Sequence, residues 1–283
     1  MFSQDDDTYI ISQGAEVHLS CNIGQFSKIG YGTHIMDYTT IGNRCIIKKF
    51  ISISPFSTVG DRSIIQNSAM VGMGNTIENN CRIGSETTLD SYVSVGQHTK
   101  IAPCVNIQRR VHIGAFAKIG FSVDIDEFSV ICDYVLIRPH VKIHNNVKIG
   151  EGTIVKTCSS IGRNTSIGEH VKIGSRVFIG ENVIVQPYAI IGDDVVIYSG
   201  VIVGQGVEIG NRSILESNVM VLAGTILAPY TTAETNTIHV YKDIPVIISE
   251  VNTGSYNSMV EGGSIANTAN TANTANTANT ANT

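Results

Sequence analysis

The chain has 283 residues, 42% hydrophobic and 15% charged, with a net charge of −5; its apolar content suits a large core, and no cluster of Lys and Arg exceeds a pair, so nucleic acid and anionic membranes are excluded as partners. No apolar run approaches the ~18 residues of a membrane span, and the start, Met1 to Asp7, is acidic where a secretory signal would be basic, so a cytoplasmic protein is expected. Six cysteines without any C-x-x-C pair argue against a disulfide framework or a zinc site.

After a stretch read as an N-terminal cap (1–10), the chain repeats every six residues. From Ile11, Val17 and Ile23 to Val221 and Leu227, every sixth residue is Ile, Val or Leu, 37 positions without a break, so internal repetition governs the fold. With that position denoted i, position i+4 takes small or β-branched residues such as Ala15, Cys21, Ser27 and Thr33, with Ile51 and Asn75 as departures. Residues i+4, i+5 and the next i form a short in-out-in strand, because side chains alternate across a strand. Positions i+1 to i+3 then turn. Gly recurs at i+1 (Gly24, Gly30, Gly42), Pro at i+2 (Pro55, Pro103, Pro139), and Gly or Asn at i+3 (Gly14, Gly32, Asn80, Asn146), where positive φ is tolerated. Three strand-plus-turn units close one coil of 18 residues, so residues 11–238 predict an all-β parallel β-helix of about 12 coils with no long loop insertion. The cysteines at i+4 (Cys21, Cys45, Cys81) read as small core residues.

The aliphatic period fails at Ala233 and His239, and a closing segment is expected over 239–260. The tail, 261–283, ends in Ala-Asn-Thr repeats from Ala266 to Thr283; with no large apolar side chain it is expected to be disordered.

The pattern resembles the hexapeptide-repeat family, [LIV]-G-x-x-[STAV]-x, over roughly residues 11 to 232. This resemblance implies a left-handed β-helix, a homotrimer, and acyl transfer from acyl-CoA to a hydroxyl or amine, with a histidine between neighbouring prisms as general base. The stretch Val171-Lys172-Ile173-Gly174 to Ile179-Gly180 looks like the V-x-I-G-x-x-V-W-I-G segment of the xenobiotic and sugar O-acetyltransferase branch, with Phe178 in place of Trp. Tyr241-Lys242-Asp243-Ile244-Pro245 resembles the T-K-D-I-P element that closes those helices beside the cofactor, which implies Lys242 as a cofactor residue. The inserted catalytic loop of that branch and its G-N-P-A element are missing.

Phase places the histidines. His98, His140 and His170 fall at the i+3 corner, and His140 stacks with Ser122 and Cys158 one coil away on either side. His34 and His112 fall at i+5, facing outward at mid-strand. His112, with Arg109 and Arg110 at the adjoining corner and Lys100 and Lys118 on the next face, is the leading candidate base beside a cationic pocket for phosphates. His34 stands between Glu16 and Ser52, so Glu16 could orient its ring across a ~4.8 Å step. A zinc site like that of gamma-class carbonic anhydrases is disfavoured, since the nearest pair, His140 and His144, is four residues apart on different turn positions. Outward i+5 residues turn apolar late (Phe178, Ile184, Ile190, Val196, Ile202, Ile214, Met220, Ile226), which predicts self-association through the late coils. The function expected is an acetyl-CoA-dependent acyltransferase acting on a sugar or sugar nucleotide, without a metal; the rival is a catalytically silent scaffold, favoured by the unbroken repeat.

Overall fold

Each hexapeptide contributes one two-residue strand, i+5 followed by the next i. The first three are Ile10–Ile11, Glu16–Val17 and Asn22–Ile23. In a computed structural model that describes residues 9–240 and 244–247, every third strand joins the same sheet. Three sheets result, with 13 strands in the first and second and 14 in the third. Pairing is in parallel and 18 residues apart: Ile10 opposite Lys28, Glu16 opposite His34, Asn22 opposite Thr40. The architecture is the left-handed parallel β-helix of the repeat, with no α-helix and no inserted loop among the described residues.

It has 13 coils where the aliphatic pattern predicts about 12. Leu215 still pairs with Ala233, and Val221 with His239. Backbone pairing carries the register two strands past the last large aliphatic, Leu227, and Ala233 remains fully buried. Strand Thr237–Val240 then lengthens to four residues and pairs antiparallel with Ile244–Ile247, Val240 opposite Ile244. The chain divides into units 1–249 and 250–283. The rest of the expected closing segment, from 248 on, and the Ala-Asn-Thr tail lie outside the described residues.

The core is a column of i and i+4 side chains. Inward i residues are buried without exception from Ile29 to Leu227, each contributing roughly 1.5–3 kcal/mol before chain entropy is subtracted. The first coil differs, since Ile11 is 41% exposed and Val17 and Ile23 are only partly buried. Hydroxyls suit i+4 because they serve the backbone of the next coil. Ser27 Oγ donates to Gly42 O at 2.7 Å and accepts the Cys45 N–H at 2.9 Å, and Thr99 and Ser159 repeat the arrangement. Asn75 fits the same niche, its Oδ1 accepting the Val93 N–H at 2.7 Å. No buried side-chain nitrogen or oxygen among the described residues lacks a partner.

Glycine at i+1 answers to close approach: a Cβ on Gly174 would strike the backbone of Gly192 one coil on. At i+3 every residue from Phe26 to Asn236 has positive φ. The sequence reading assigned that geometry to Gly, Asn and His, yet Phe, Tyr and Arg adopt it too. Stacking along the corner compensates for the backbone strain: Tyr38 lies 5.3 Å from Phe56, and His98, Phe116 and Tyr134 form a column at 4.9 and 5.0 Å.

Candidate functional site

Parallel stacking at an 18-residue interval brings outward residues of successive coils side by side. On the second face this seats His34 between Glu16 and Ser52. The His34 Nδ1 lies 2.9 Å from Glu16 Oε2. A carboxylate only accepts, so the ring donates through Nδ1–H, which leaves the Nε2 lone pair for a proton from elsewhere. Both side chains are exposed and border an open groove of about 500 Å³, which also holds His18, Met36 and Asp37. His18 Nδ1 stands 2.8 Å from Ser20 Oγ and 3.4 Å from Asp37 Oδ1. The groove thus carries two imidazoles, each beside a carboxylate.

On the edge leading into this face, Lys48 and Lys49 lie a few residues before Ser52. With Lys28 they line a second open groove of about 420 Å³. None of the three has an ion-pair partner among the described residues.

His112 stands where its phase puts it. It is exposed on the third face between Ser94 and Val130, with no polar partner for its ring among the described residues. Of the cations expected beside it, the two arginines are engaged by other residues. Arg109 Nη2 pairs with Glu127 Oε2 at 3.0 Å, and the Arg110 guanidinium lies 5.7 Å over the Phe128 ring. Each arginine has turned along the axis to a residue one coil on. His140 occupies its corner at φ 59° with its ring edge-on to Phe121 at 4.7 Å. Lys242 lies outside the described residues.

Two His–carboxylate pairs escaped the sequence reading. One is His18–Asp37; the other is His144–Asp126, at 3.3 Å, where Asp126 also accepts from Gln108 Nε2 at 3.0 Å. A search for His and carboxylate 18 or 19 residues apart would have found both. The same interval joins Arg176 to Asp194 and Arg163 to Glu181. Among the described residues no group of three or more His, Cys, Asp or Glu is placed to hold a metal ion. The two fully buried cysteines are poor nucleophiles: burial pushes the Cys81 thiol up to about 11 and raises that of Cys45.

The late outward residues form two apolar columns. Phe178, Val196 and Ile214 stack on the second face, and Ile184, Ile202 and Met220 on the third. On the first face Lys172 and Glu208 interrupt the run on either side of Ile190. The first face keeps Ile190 and Ile226 as isolated exposed aliphatics, and the contiguous columns occupy the other two faces.

Fold and site together define a hexapeptide-coil β-helix that carries His–carboxylate ladders on its outside. Residues 140–175 and 188–223 match the bacterial transferase hexapeptide (six repeats) family, and residues 170–205 match the hexapeptide repeat of succinyl-transferase. These matches fall within residues 140–223 of the repeat. No curated protein sequence matches it. Among solved structures it is similar to a mutant of GDP-perosamine N-acetyl transferase from Caulobacter crescentus in complex with CoA and GDP-perosamine, at 23% identity and a TM-score of 0.35, over 47% of this chain and 53% of that one. It is also similar to Arabidopsis UDP-N-acetylglucosamine acyltransferase, at 16% identity and a TM-score of 0.33, over 81% and 70% of the two chains. The chain therefore spans about half the length of the perosamine enzyme.

Proposed function

We propose that the protein transfers an acyl group from a CoA thioester, acetyl-CoA foremost, to a hydroxyl or amine of a sugar or sugar nucleotide, with His34 as general base and Glu16 as the residue that orients it. The observation that carries this reading is the 2.9 Å His34–Glu16 bond at the edge of an open groove. Support for acyl transfer comes from the transferase repeat.

In this reading the acceptor lies in the groove with its hydroxyl or amine toward His34 Nε2. As its oxygen or nitrogen attacks the thioester carbonyl, the ring takes the proton, and Glu16 stabilises the imidazolium that forms. Collapse of the adduct breaks the carbon–sulfur bond, and the proton passes from the ring to the departing thiolate. Lys28, Lys48 and Lys49 supply positive charge suited to the phosphates of the donor. His112 becomes a bystander on a different face.

A homotrimer fits the two apolar columns. Prisms ranged round a three-fold axis bury the two faces that flank one edge, and the second and third faces are the ones that carry the columns. The second face also carries the His34 groove, so such a trimer turns the groove toward a neighbouring prism and leaves the first face free.

The test is acetyl-CoA binding by thermal shift, where a ligand at about 100 times its Kd adds about 2.7 kcal/mol of stability. Wild type should be stabilised and a Lys48→Glu, Lys49→Glu variant far less. Absence of any shift in wild type would favour the silent scaffold.

A further inference from the structure

Several arginines on this helix are neutralised by a carboxylate one coil on: Arg109 by Glu127, Arg163 by Glu181, Arg176 by Asp194. The middle of the first face instead stacks cation on cation. Arg82 pairs in register with Lys100, and Lys100 with Lys118. All three are exposed, and none has an ion-pair partner among the described residues. Like charges directly opposite one another on a sheet oppose folding, and this column stands in a chain of net charge −5. Nothing in the fold requires it. Ile64 precedes the column and Leu136 follows it in the same register, so aliphatic residues serve equally well at this position.

We propose that the Arg82–Lys100–Lys118 column binds a linear acidic saccharide, one that carries a carboxylate on each sugar. Three features favour this occupant. The cations repeat at the strand spacing of about 4.8 Å, close to the length of one pyranose in an extended chain, whereas the phosphates of a polyphosphate share a bridging oxygen and lie closer together. The rings at the adjoining corner, His98, Phe116 and Tyr134, stack on one another with interplanar angles of 11° and 4°. Their faces are thus occupied, which removes the platform that unpaired nucleobases need. The first face also stays open in the trimer proposed above, although the column needs neither the trimer nor acyl transfer to bind.

The probes are a six-residue (1→4)-linked oligouronate, its fully methyl-esterified form, inorganic triphosphate and a single-stranded oligonucleotide, each titrated calorimetrically against the full chain without acyl donor. Wild type should bind the oligouronate with an affinity that falls as salt is added, and at least tenfold more weakly after esterification. Replacing Arg82, Lys100 and Lys118 together by Gln should lower the affinity at least tenfold. Lys100→Gln alone should weaken binding while leaving the low-salt melting temperature unchanged or raised, since it relieves repulsion. The proposal is overturned if wild type ignores the oligouronate, if the ester, triphosphate or oligonucleotide binds as well, if the Gln variants bind normally, or if Lys100→Gln melts lower. The acyl-transfer reading is untouched by any of these results.

Discussion

Replacing Asn75 by Ala tests whether polar service at i+4, as well as apolar filling, holds successive coils together. Asn75 is 1% exposed; its Oδ1 accepts the Val93 N–H at 2.7 Å and its Nδ2 donates to Leu89 O at 3.3 Å. Alanine removes both bonds and leaves the Leu89 carbonyl and Val93 amide without that partner. At about 0.5–1.5 kcal/mol net for each bond, the expected loss is about 1–3 kcal/mol. Asn75→Ser should lose less, because Ser57 already performs this service one coil earlier, donating to Gly72 O and accepting the Asn75 N–H. Urea denaturation followed by far-ultraviolet circular dichroism should show a lower midpoint for the Ala variant at unchanged m, with Ser between it and wild type. Equal midpoints for the Ala and Ser variants would refute the reasoning.

Changing Ile184, Ile202 and Met220 together to Lys should yield monomers in sedimentation; unchanged assembly would place the interface on another face. Iodoacetamide at pH 8 should label the exposed Cys104 and Cys158 in the folded protein and spare Cys81 and Cys45, whose pKa values burial raises so that the unreactive thiol persists. Labelling of Cys81 at the rate of Cys104 would contradict the buried thiol. Truncation after Val260 should leave the melting temperature unchanged, because the repeat closes before the Ala-Asn-Thr tract; a loss of several degrees would show that the tail takes part in the fold.

The period of six specified strand positions, inward residues and coil register, because each inward aliphatic reports one backbone position and the backbone repeats with it. Its count of about 12 coils roughly matches the 13 observed, the last of which includes Ala233 and His239, where the pairing continues without a large aliphatic. The same register predicted the Glu16–His34 contact, since residues 18 apart at i+5 must stack. It could not weigh Arg109 and Arg110 as donors to a pocket. Whether a long side chain points outward or along the axis depends on its partner one coil away, and Glu127 and Phe128 supplied partners that phase alone does not reveal. His18 went unconsidered because a corner residue meets its neighbour at 19 residues, outside the strict ladder.

The central claim is that His34, held by Glu16, is the base of an acyl transfer. It is tested most directly by thiol release from acetyl-CoA over a panel of amino sugars and sugar nucleotides, comparing wild type with His34→Ala, Glu16→Ala and His112→Ala. A positioned base contributes roughly 10²- to 10⁴-fold to rate, so His34→Ala should lower kcat by that factor while acetyl-CoA still binds. Glu16→Ala should fall between His34→Ala and wild type, and His112→Ala should match wild type. Full turnover by His34→Ala, or loss of turnover in His112→Ala alone, would contradict the account.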